Sequence, residues 1–600
     1  MLRSSLVFSF FALTLVLAGC DPGTRGPGRD AGGGPPPPGT DGGTPPPGTD
    51  GGGGSGCDAS ADMDGDGIAD GREGPSDSDG DGTPNQLDDD SDGDGLLDAD
   101  EARSSDPCAP GDSDGDGTPD FLDTDSDNDG LPDRDEVTAG TDPTTIDSDG
   151  DGITDLAEVA AGVDPTDPTS TIPEDDFFVV LPYEGDRANR TLRFGTAIGV
   201  ADVFFLVDMT GSMRGVRTNI INGLVDTIIP GIEARIPNVQ FGAGGYDDFG
   251  VSPYGWEPTS DWRDLPFYLL HEITPPDTDV GAWSLAAGPT TAECPDDPSV
   301  MDVGQIAGSP NGVPDILEAV TGLPCHGGRD GEESTGPALW ATATGMGLTW
   351  PGGSIPAQSC PTIPDETGAR FGYPCFRPGA LPIILVFGDY NWHNGPGGTA
   401  EYTFTDSHMV PRYEQTRDSL TSIGARVISI VNSFGGSIPT GYEEIARDTG
   451  AVRADGTPLT FTIDSGGGGL DSAVVDAVAS LVTDVPQDVT TRTENVAGNP
   501  DEFDATRFIK AIVPLEGYNG ALSGPMPGVT YASKDETTFY EVIPGTLVDF
   551  EIDFYNDVRE PADVAQVFQA LIIVVGNGVA DLDARNVYIV VPPEGAVVLI

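Results

Sequence analysis

An acidic motif repeats along the first part of this chain and limits what that part can fold into. The pattern D-x-D-x-D-G-x-x-D starts at residues 62, 90, 112, 125 and 147, and a sixth copy, which starts at residue 77, ends in asparagine. Every copy also has an acidic residue at its twelfth position. Oxygens at positions 1, 3, 5, 9 and 12, with glycine at position 6 for the tight turn, suit a Ca2+ ion. Because the copies hold few apolar residues, bound ions must replace a hydrophobic core, and we expect calcium-dependent order.

The spacing of the copies separates two kinds of calcium-binding segment. Successive copies start 15, 13, 22, 13 and 22 residues apart, too close for the paired flanking helices of EF-hands. The alternating short and long spacing, with GTDPTTIDSDGDG leading into the last copy, resembles thrombospondin type 3 repeats over about residues 57–170. A disordered acidic linker is the alternative that composition alone allows. Six copies in register favour a stalk that stiffens when several Ca2+ ions bind.

The predicted calcium ligands are the acidic residues at the five positions of each copy. They are Asp62, Asp64, Asp66, Asp70 and Glu73; Asp77, Asp79, Asp81 and Asp88; Asp90, Asp92, Asp94, Asp98 and Glu101; Asp112, Asp114, Asp116, Asp120 and Asp123; Asp125, Asp127, Asp129, Asp133 and Glu136; and Asp147, Asp149, Asp151, Asp155 and Glu158.

The net charge of the chain excludes several classes of partner. The chain has 600 residues, of which 100 are acidic and 27 are basic, and its formal net charge is −73. Nucleic acid and anionic lipid surfaces repel such a chain, whereas divalent cations are attracted to it. A hydrophobic content of 37% still allows two or three buried cores. We therefore expect a multidomain protein that binds metal ions and does not bind nucleic acid.

The amino terminus has the features of a lipoprotein signal peptide. Residues 1–20 contain an apolar run too short to span a bilayer and end in LAGC, which resembles a bacterial lipobox. The resemblance implies that Cys20 is lipid-modified and becomes the first mature residue. The alternative is an ordinary secretory signal in which Cys20 has no role. Residues 21–56, rich in glycine and proline, form a predicted tether. We expect a membrane-anchored protein of the bacterial cell envelope, on the outer membrane and exposed at the surface, although Asp21 leaves the choice of membrane open.

Six cysteines remain after Cys20, and an even number in an exported protein indicates disulfides. None has the CxxC spacing of a zinc or redox site. Six cysteines allow 15 pairings, and we favour sequential pairing because each bond would then staple one segment. The resulting pairs are Cys57–Cys108, Cys294–Cys325 and Cys360–Cys375.

Residues 200–485 alternate strands and helices. Strands are predicted at 201–208, 238–246, 381–389 and 425–432, where the sequence is a nearly continuous apolar run. Helices are predicted within 216–236, 334–346, 411–424, 442–450 and 469–485. Apolar strands between helices indicate a mostly parallel sheet covered on both faces, a doubly wound α/β fold. In such sheets ligands bind at the carboxyl ends of the strands.

The stretch FFLVDMTGSM places polar groups at one of these carboxyl ends. Asp208, Thr210 and Ser212 follow the strand at alternate positions, so a turn can direct three oxygens to one point. This motif resembles the metal-ion-dependent adhesion site of von Willebrand factor A domains. Hard oxygen ligands of this kind suit Mg2+ or Mn2+. The alternative is a helix N-cap cluster, since all three residue types cap helices well.

The resemblance to von Willebrand factor A domains extends to two further loops. The family's second loop corresponds to GGRDGEESTGPAL, where Glu333 and Thr335 take ligand positions, and its third corresponds to LVFGD, where Asp389 takes the position of a carboxylate. Integrin-β-like members carry two more acidic residues just after the first motif. This chain has Gly215 and Val216 there, so we expect no adjacent ion at that place.

An insert at residues 250–326 interrupts the α/β domain. It contains Trp256, Trp262 and Trp283. These tryptophans fit two interpretations equally, contacts to a ligand or a small core of the insert itself. Asp247 and Asp248, just before the insert, fit either a rim of the metal site or solvated turn residues, and we favour the turn.

The end of the chain, residues 486–600, alternates apolar and polar residues in short runs, which predicts an antiparallel β-sandwich. Two predicted strands within residues 176–199 lead into the α/β domain. If those strands pair with the tail, the α/β domain is an insertion into the sandwich.

The sequence offers little for catalysis. His271, His326, His393 and His408 show no paired metal spacing. His326 and His393 could line the metal face, but lone loop histidines are more often surface residues, and we favour that interpretation. We therefore expect no enzyme. The resemblances imply a surface-anchored adhesion or recognition protein that binds an acidic group of a protein or extracellular-matrix ligand through one Mg2+ or Mn2+ site. The alternative is a structural scaffold of a cell-surface or secretion assembly, and an enzyme is the less favoured interpretation.

The lipobox generates a direct prediction about anchoring. Cys20→Ser should release the protein from the membrane fraction or mislocalise it, because the acyl chains are the expected anchor. Fractionation of cells that express the wild type and the variant measures this. A variant that stays in the membrane fraction like the wild type would contradict the lipoprotein assignment.

Overall fold

The structure is a computed structural model that describes residues 57–173, 176–256, 264–274, 329–363, 366, 368–432, 437–464, 468–519, 530–562 and 564–593. The predicted signal peptide, Cys20 and the tether lie outside the described residues. Trp262, Trp283, His326 and the Cys294–Cys325 pair also lie outside them. Within the described ranges, no helix is long and apolar enough to cross a membrane.

The helices of the described residues are, in chain order, α1 (Asp70–Glu73), α2 (Asp98–Glu101), α3 (Asp133–Ala139), α4 (Asp155–Ala161), α5 (Arg214–Gly223), α6 (Ile229–Glu233), α7 (Thr335–Thr344), α8 (Tyr413–Ser422), α9 (Thr440–Asp448) and α10 (Leu470–Asp484). A π-helical turn, Leu224–Ile228, joins α5 to α6.

The strands of the described residues are β1 (Phe177–Val180), β2 (Ala188–Gly195), β3 (Val200–Asp208), β4 (Asn238–Tyr246), β5 (Tyr268–Thr274), β6 (Leu348–Trp350), β7 (Gly353–Ile355), β8 (Leu381–Gly388), β9 (Arg426–Asn432), β10 (Thr460–Ile463), β11 (Gln487–Asn495), β12 (Ile509–Asn519), β13 (Ser533–Lys534), β14 (Phe539–Val542), β15 (Thr546–Phe554), β16 (Gln566–Gly576) and β17 (Ala580–Val591).

The acidic repeats fold as short loops, each closed by one or two helical turns. We number them copy 1 (62–73), copy 2 (77–88), copy 3 (90–101), copy 4 (112–123), copy 5 (125–136) and copy 6 (147–158). Copies 1, 3, 5 and 6, whose twelfth residue is glutamate, close with the α-helices α1 to α4. Copies 2 and 4, whose twelfth residue is aspartate, close with the 3-10 turns Asn85–Leu87 and Asp120–Leu122. The twelfth residue therefore separates two structural kinds of copy.

Two stabilising features hold the first four copies together. Ile68, Ala102 and Phe121 form a small buried cluster. The predicted disulfide Cys57–Cys108 is formed and spans 51 residues of sequence. A bridge over a loop of that length stabilises the folded state by roughly 4 kcal/mol, mainly by restricting the unfolded chain. The predicted Cys360–Cys375 disulfide is formed as well.

A six-stranded sheet of order β10-β9-β8-β3-β4-β5 forms the centre of the α/β domain. All neighbouring pairs are parallel except β4 with the edge strand β5. Successive residues of β3 serve opposite faces: Phe205 packs against α5, α6 and α10, and Phe204 packs with α7, α8 and α9. This is the doubly wound α/β arrangement that the sequence predicts. Strand β5 was not predicted, because it lies within the segment interpreted as an insert.

The strands on either side of the α/β domain belong together in a second unit, which we call the β domain. One sheet has the order β1-β17-β16-β11-β14-β13 and the other β12-β15-β2. Strand β1 pairs in parallel with β17, and β2 pairs antiparallel with β15. Side chains of both sheets, among them Phe550 and Phe568, share one buried core. The chain thus begins the β domain with β1 and β2, forms the α/β domain, and returns to the β domain with β11.

A buried ion pair secures the amino end of β3. The Asp202 carboxylate is fully buried and accepts hydrogen bonds from the Arg377 backbone N–H at 2.6 Å and from its Nε at 2.7 Å. Arg377 also donates to the Ala201 carbonyl at 2.9 Å and to Asn238 Oδ1 at 2.8 Å. Burial raises the pKa of Asp202 to about 6 although Arg377 opposes the rise. The pair therefore ties β3 to β4 and to the segment before β8.

Removing the cation of this pair should destabilise the α/β domain strongly. Arg377→Met should lower the free energy of unfolding by about 3–5 kcal/mol, because it leaves a buried carboxylate without a neutralising cation, although the backbone N–H of residue 377 still donates to it. Urea unfolding followed by tryptophan fluorescence measures the change. As a control, Arg417→Met removes an exposed partner of Asp418 and should cost less than about 1 kcal/mol. Similar losses in the two variants would contradict this role of the buried pair.

Candidate metal centre

Asp208, Thr210 and Ser212 converge at the carboxyl end of β3. The Thr210 backbone N–H donates to Asp208 Oδ1 at 2.9 Å, and the Thr210 hydroxyl donates to the same oxygen at 2.7 Å. The hydroxyl oxygens of Thr210 and Ser212 lie 3.2 Å apart. Asp208 is 1% exposed, and its Oδ2 has no hydrogen-bond partner. The turn therefore holds one carboxylate oxygen by hydrogen bonds and leaves the other for a ligand.

Asp389 joins this group because β8 pairs with β3. The two strands run in parallel with Val207 beside Phe387, so their carboxyl ends meet at one edge of the sheet. The Ser212 hydroxyl opposes the rise that burial causes in the pKa of Asp389, so the two side chains are neighbours. Asp389 is 6% exposed, and its Oδ2 has no hydrogen-bond partner.

Glu333 is positioned by its backbone. Its N–H donates to the Asn391 carbonyl at 3.0 Å, and its carbonyl accepts from the His393 N–H at 2.9 Å, so it bridges to the loop after β8. The next residue, Ser334, donates to the Asp247 carbonyl at the end of β4 through its N–H and its hydroxyl, at 3.0 and 2.7 Å. Glu333 is 5% exposed with Oε2 unpartnered. Hydrogen bonds thus hold its loop beside two strand ends.

Two further residues complete the description of the predicted site. Thr335, the first residue of α7, is fully buried. The Tyr390 ring lies against Gly331, where an added Cβ would come within 2.6 Å of the ring. Position 331 therefore needs a residue without a side chain if the Glu333 loop is to approach Tyr390 this closely.

Three buried carboxylates at this edge repel one another. The pKa of Asp208 is raised well above its usual value by burial and then by the charge of Asp389. Burial and the charge of Asp208 raise the pKa of Glu333, and burial raises that of Asp389. Each of the three has an unpartnered carboxylate oxygen. A hard divalent cation fits this set of oxygens, because it supplies both the missing ligand contacts and the missing positive charge.

A second group of possible ligands lies beside Glu333, and the sequence did not reveal it. His393 Nε2 is 3.1 Å from Asp330 Oδ2 and 3.5 Å from Asp248 Oδ2. The His393 Nδ1 lies 2.6 Å from the Ala400 carbonyl, an arrangement typical of a metal-binding histidine. Ligand atoms of Asp248, Asp330 and His393 all lie within 4.8 Å of one another. These residues could hold a second cation.

The burial of this group corrects two interpretations of the sequence. Asp247 and Asp248 are fully buried rather than solvated turn residues, and His393, interpreted as a surface residue, is 4% exposed. The reason lies in the packing: the Tyr402 hydroxyl donates to Asp248, and the Tyr402 ring lies 4.3 Å from the imidazole of His393. The one signal in the sequence was the position of YDDFG at the end of β4, a carboxyl end at the same edge.

The first three repeats bring predicted calcium ligands together within each copy. The three aspartates at positions 1, 3 and 5 form clusters within 4.8 Å in copies 1, 2 and 3. The glutamates at position 12 are buried and have unpartnered oxygens; they are Glu73, Glu101, Glu136 and Glu158. Oxygens of Asp66 and Glu73 in copy 1 also lie within 4.8 Å of Asp98 in copy 3, so neighbouring copies approach one another through their acidic groups.

The ninth position of each copy helps to close its loop. In copies 3, 4, 5 and 6 its aspartate accepts from the backbone N–H of the serine at position 2 with one oxygen and from the serine hydroxyl with the other, at 2.6 to 3.1 Å. In copy 1, Asp70 accepts from the Met63 N–H. These hydrogen bonds orient the predicted ligands Asp70, Asp98, Asp120, Asp133 and Asp155, whose binding of calcium stays a prediction.

Protons should compete with calcium in the repeats. Burial and neighbouring negative charges raise the pKa of Glu73 to about 8 and, with burial again the main cause, that of Asp92 to about 7. Groups with raised pKa are partly protonated at neutral pH and must lose those protons to bind a cation. Apparent calcium affinity should therefore rise with pH between about 6 and 9, with proton release at pH 7.

Calcium titration calorimetry in buffers of different ionisation enthalpy measures the released protons. Glu73→Gln should release fewer protons than the wild type, whereas Glu536→Gln, which changes a residue of the β domain, should leave the number unchanged. Calcium binding without proton release at pH 7 would contradict the raised pKa values.

Comparison with known proteins identifies the repeats. Residues 90–104, 125–145 and 147–168 match the bacterial TSP3 repeat family, and repeats of this family imply calcium binding. No curated protein matches the chain.

Solved structures similar to the chain include a von Willebrand factor type A protein from Catenulispora acidiphila, with 12% identity and a TM-score of 0.26 over 69% of this chain and 72% of that one. The pilus adhesin SpaC from Lactobacillus rhamnosus GG has 11% identity and a TM-score of 0.24, over 67% and 45% of the two chains. The human COPII-coat protein Sec24c has 8% identity and a TM-score of 0.26, over 66% and 46%. TM-scores this low establish neither a shared fold nor a shared function. The family match and the structure together show that the chain contains bacterial TSP3 repeats, followed by an α/β domain with a cluster of buried carboxylates.

Proposed function

We propose that this chain is a metal-dependent adhesion protein of the bacterial cell surface. An acidic group of a protein or matrix ligand would bind at the carboxyl edge of the α/β sheet, through one Mg2+ or Mn2+ ion held by Asp208, Thr210, Ser212, Glu333 and Asp389. The calcium repeats would carry this domain, and a lipid on Cys20 would anchor it. The proposal includes no enzymatic step.

One observation carries the proposal. Three carboxylates from separate loops, Asp208, Glu333 and Asp389, are at most 6% exposed, and each keeps an oxygen without a hydrogen-bond partner. A helix N-cap cluster would use those oxygens for backbone N–H groups and would need no carboxylate from other loops. Ser212 is exposed, so the group is accessible from one side. This combination supports a cation that completes its coordination with a ligand from outside the chain.

The residues of the chain have separable tasks in this proposal. Thr210 fixes the orientation of Asp208 by two hydrogen bonds to one oxygen. Ser212 opposes the rise that burial causes in the pKa of Asp389 and so favours its charged form, and the backbone of Glu333 links the third carboxylate to the same edge. When bound, the ion supplies positive charge and an open coordination position. Because the chain has a net charge of −73, its overall field repels an acidic ligand, so attraction has to come from the ion.

The site can be tested with manganese as the probe in saturating calcium. Asp208→Ala should weaken Mn2+ binding by about 100-fold or more, since it removes a carboxylate, and Ser212→Ala should weaken it by only about tenfold. Isothermal titration calorimetry measures the affinities, and thermal melts should show that the fold persists. Retention of the protein on cell-surface material should require Mg2+ or Mn2+, should be reversed by a chelator, and should be lost in Asp208→Ala.

A matched control separates this site from general charge effects. Asp226→Ala removes an exposed carboxylate of the π-helical turn after α5 and should leave Mn2+ affinity unchanged. Wild-type Mn2+ affinity in Asp208→Ala with an intact fold would refute the metal site. Lost Mn2+ binding with unchanged retention would instead refute the role of the ion in adhesion.

A further inference from the structure

Two leucines of the last repeats are buried against the β domain. Leu131, at position 7 of copy 5, is 5% exposed, and Leu156, at position 10 of copy 6, is 4% exposed. Both pack against Val590 of β17, which is fully buried. Val180, Ala565 and Val567 of the β domain surround this contact. The repeats therefore join the β domain by an apolar contact, and not only through the chain that links them.

Asp129, a predicted calcium ligand, accepts hydrogen bonds from the backbones of both leucines. Asp129, at position 5 of copy 5, is fully buried. Its Oδ1 accepts from the Leu131 backbone N–H at 2.6 Å, and its Oδ2 accepts from the Leu156 backbone N–H at 2.8 Å. One carboxylate of a calcium loop thus fixes the spacing of the two side chains that contact the β domain.

Helix α4 connects the second ion site to the same contact. It has seven residues, too few for a helix that is stable in isolation, and it carries both Leu156 and Glu158. Glu158, at position 12 of copy 6, is fully buried, and neither of its side-chain oxygens has a hydrogen-bond partner. A cation bound by Glu158 would therefore hold the helix that presents Leu156 to β17.

Clefts border the contact between the repeats and the β domain. One of about 340 Å3 is lined by the two leucines themselves, with Tyr588 and Val567 of the β domain among others. Another of about 430 Å3 is lined by Ile153 of copy 6 and Phe178 of β1 among others. Packing between copy 6 and the β domain is therefore incomplete, so the contact depends on the geometry of the loops that present the two leucines.

We infer that calcium in copies 5 and 6 locks the repeats onto the β domain and thereby fixes the orientation of the α/β domain relative to the stalk. Loss of these ions leaves the carboxylates of both loops to repel one another, and the two leucines lose the register in which they contact β17. Copies 1 to 4 act differently, because Ile68, Ala102 and Phe121 pack within the repeats. The inference does not rest on the adhesion proposal, since it involves no residue of the α/β domain.

Hydrogen exchange of the full chain, followed by mass spectrometry, tests whether the contact between copies 5 and 6 and the β domain depends on calcium. Replacing calcium with a chelator should speed exchange in α4, and also in β1 and the end of β17, by about tenfold or more. Exchange in β12 and β15, which belong to the other sheet of the β domain, should stay unchanged. A chelator effect confined to the repeats, with β1 and β17 unaffected, would overturn the inference.

Variants distinguish loss of the contact with the β domain from loss of calcium binding. Leu156→Ala in saturating calcium should speed exchange at β1 and β17 while copies 1 to 4 stay protected; Val137→Ala, which changes an exposed side chain on α3, should not. Glu158→Gln should act like Leu156→Ala, whereas Asp79→Asn in copy 2 should affect only the repeats. Protection of β1 and β17 in both Leu156→Ala and Glu158→Gln, or equal effects of the control variants, would overturn the inference.

Discussion

Carboxylates that are buried without a cationic side chain as partner occur both in the repeats and at the carboxyl edge of the α/β sheet. In the repeats, glutamates such as Glu101 and Glu136 are almost fully buried among other acidic groups. At the sheet edge, Asp208 and Glu333 are likewise buried near other carboxylates. Burial of an ionised carboxylate is costly unless a cation or a proton neutralises it. The net charge of −73 leaves few basic side chains for this task. Cations or protons are therefore needed to neutralise the buried carboxylates in the repeats and at the sheet edge.

The β domain lies between the repeats and the α/β domain, so the candidate metal site is distant from the repeats. The β domain contacts the amino-end side of the α/β sheet: Val579 lies against Gly424, just before β9, and the Asp581 N–H donates to the Gly379 carbonyl, just before β8. The candidate site lies at the opposite, carboxyl ends of β3 and β8. The repeats contact the β domain through Leu131 and Leu156. From these contacts the domains follow one another in the order repeats, β domain and α/β domain. The candidate metal site lies at the end of the α/β domain that is farthest from the repeats.

The sequence predicted those parts of the fold that depend on local pattern. Strand β4 has the predicted limits, and β3, β8 and β9 differ from theirs by a residue, because strands buried on both faces are continuous apolar runs. Asp208, Glu333 and Asp389 were predicted together because their three motifs resemble the metal-site loops of von Willebrand factor A domains, and the parallel pairing of β3 with β8 explains why Asp208 and Asp389 meet at one edge. Contacts between distant residues were not predictable in this way. Asp248 is buried because Tyr402, 154 residues later, donates to it. The ninth-position aspartates fit a ligand pattern, and only the structure shows that those of copies 3 to 6 also accept hydrogen bonds from the serine at position 2.

Anomalous diffraction from crystals of the full chain grown with Mn2+ tests most directly whether these carboxylates are metal sites. The account predicts an anomalous peak bounded by oxygens of Asp208, Ser212, Glu333 and Asp389, at about 2.0–2.3 Å from the direct ligands. Occupied sites in the repeats should contact acidic residues at positions 1, 3, 5 and 12 of each copy, either with or without its ninth-position aspartate. Well-ordered carboxylates at the sheet edge without an anomalous peak, hydrogen-bonded to one another or to water, would contradict the account.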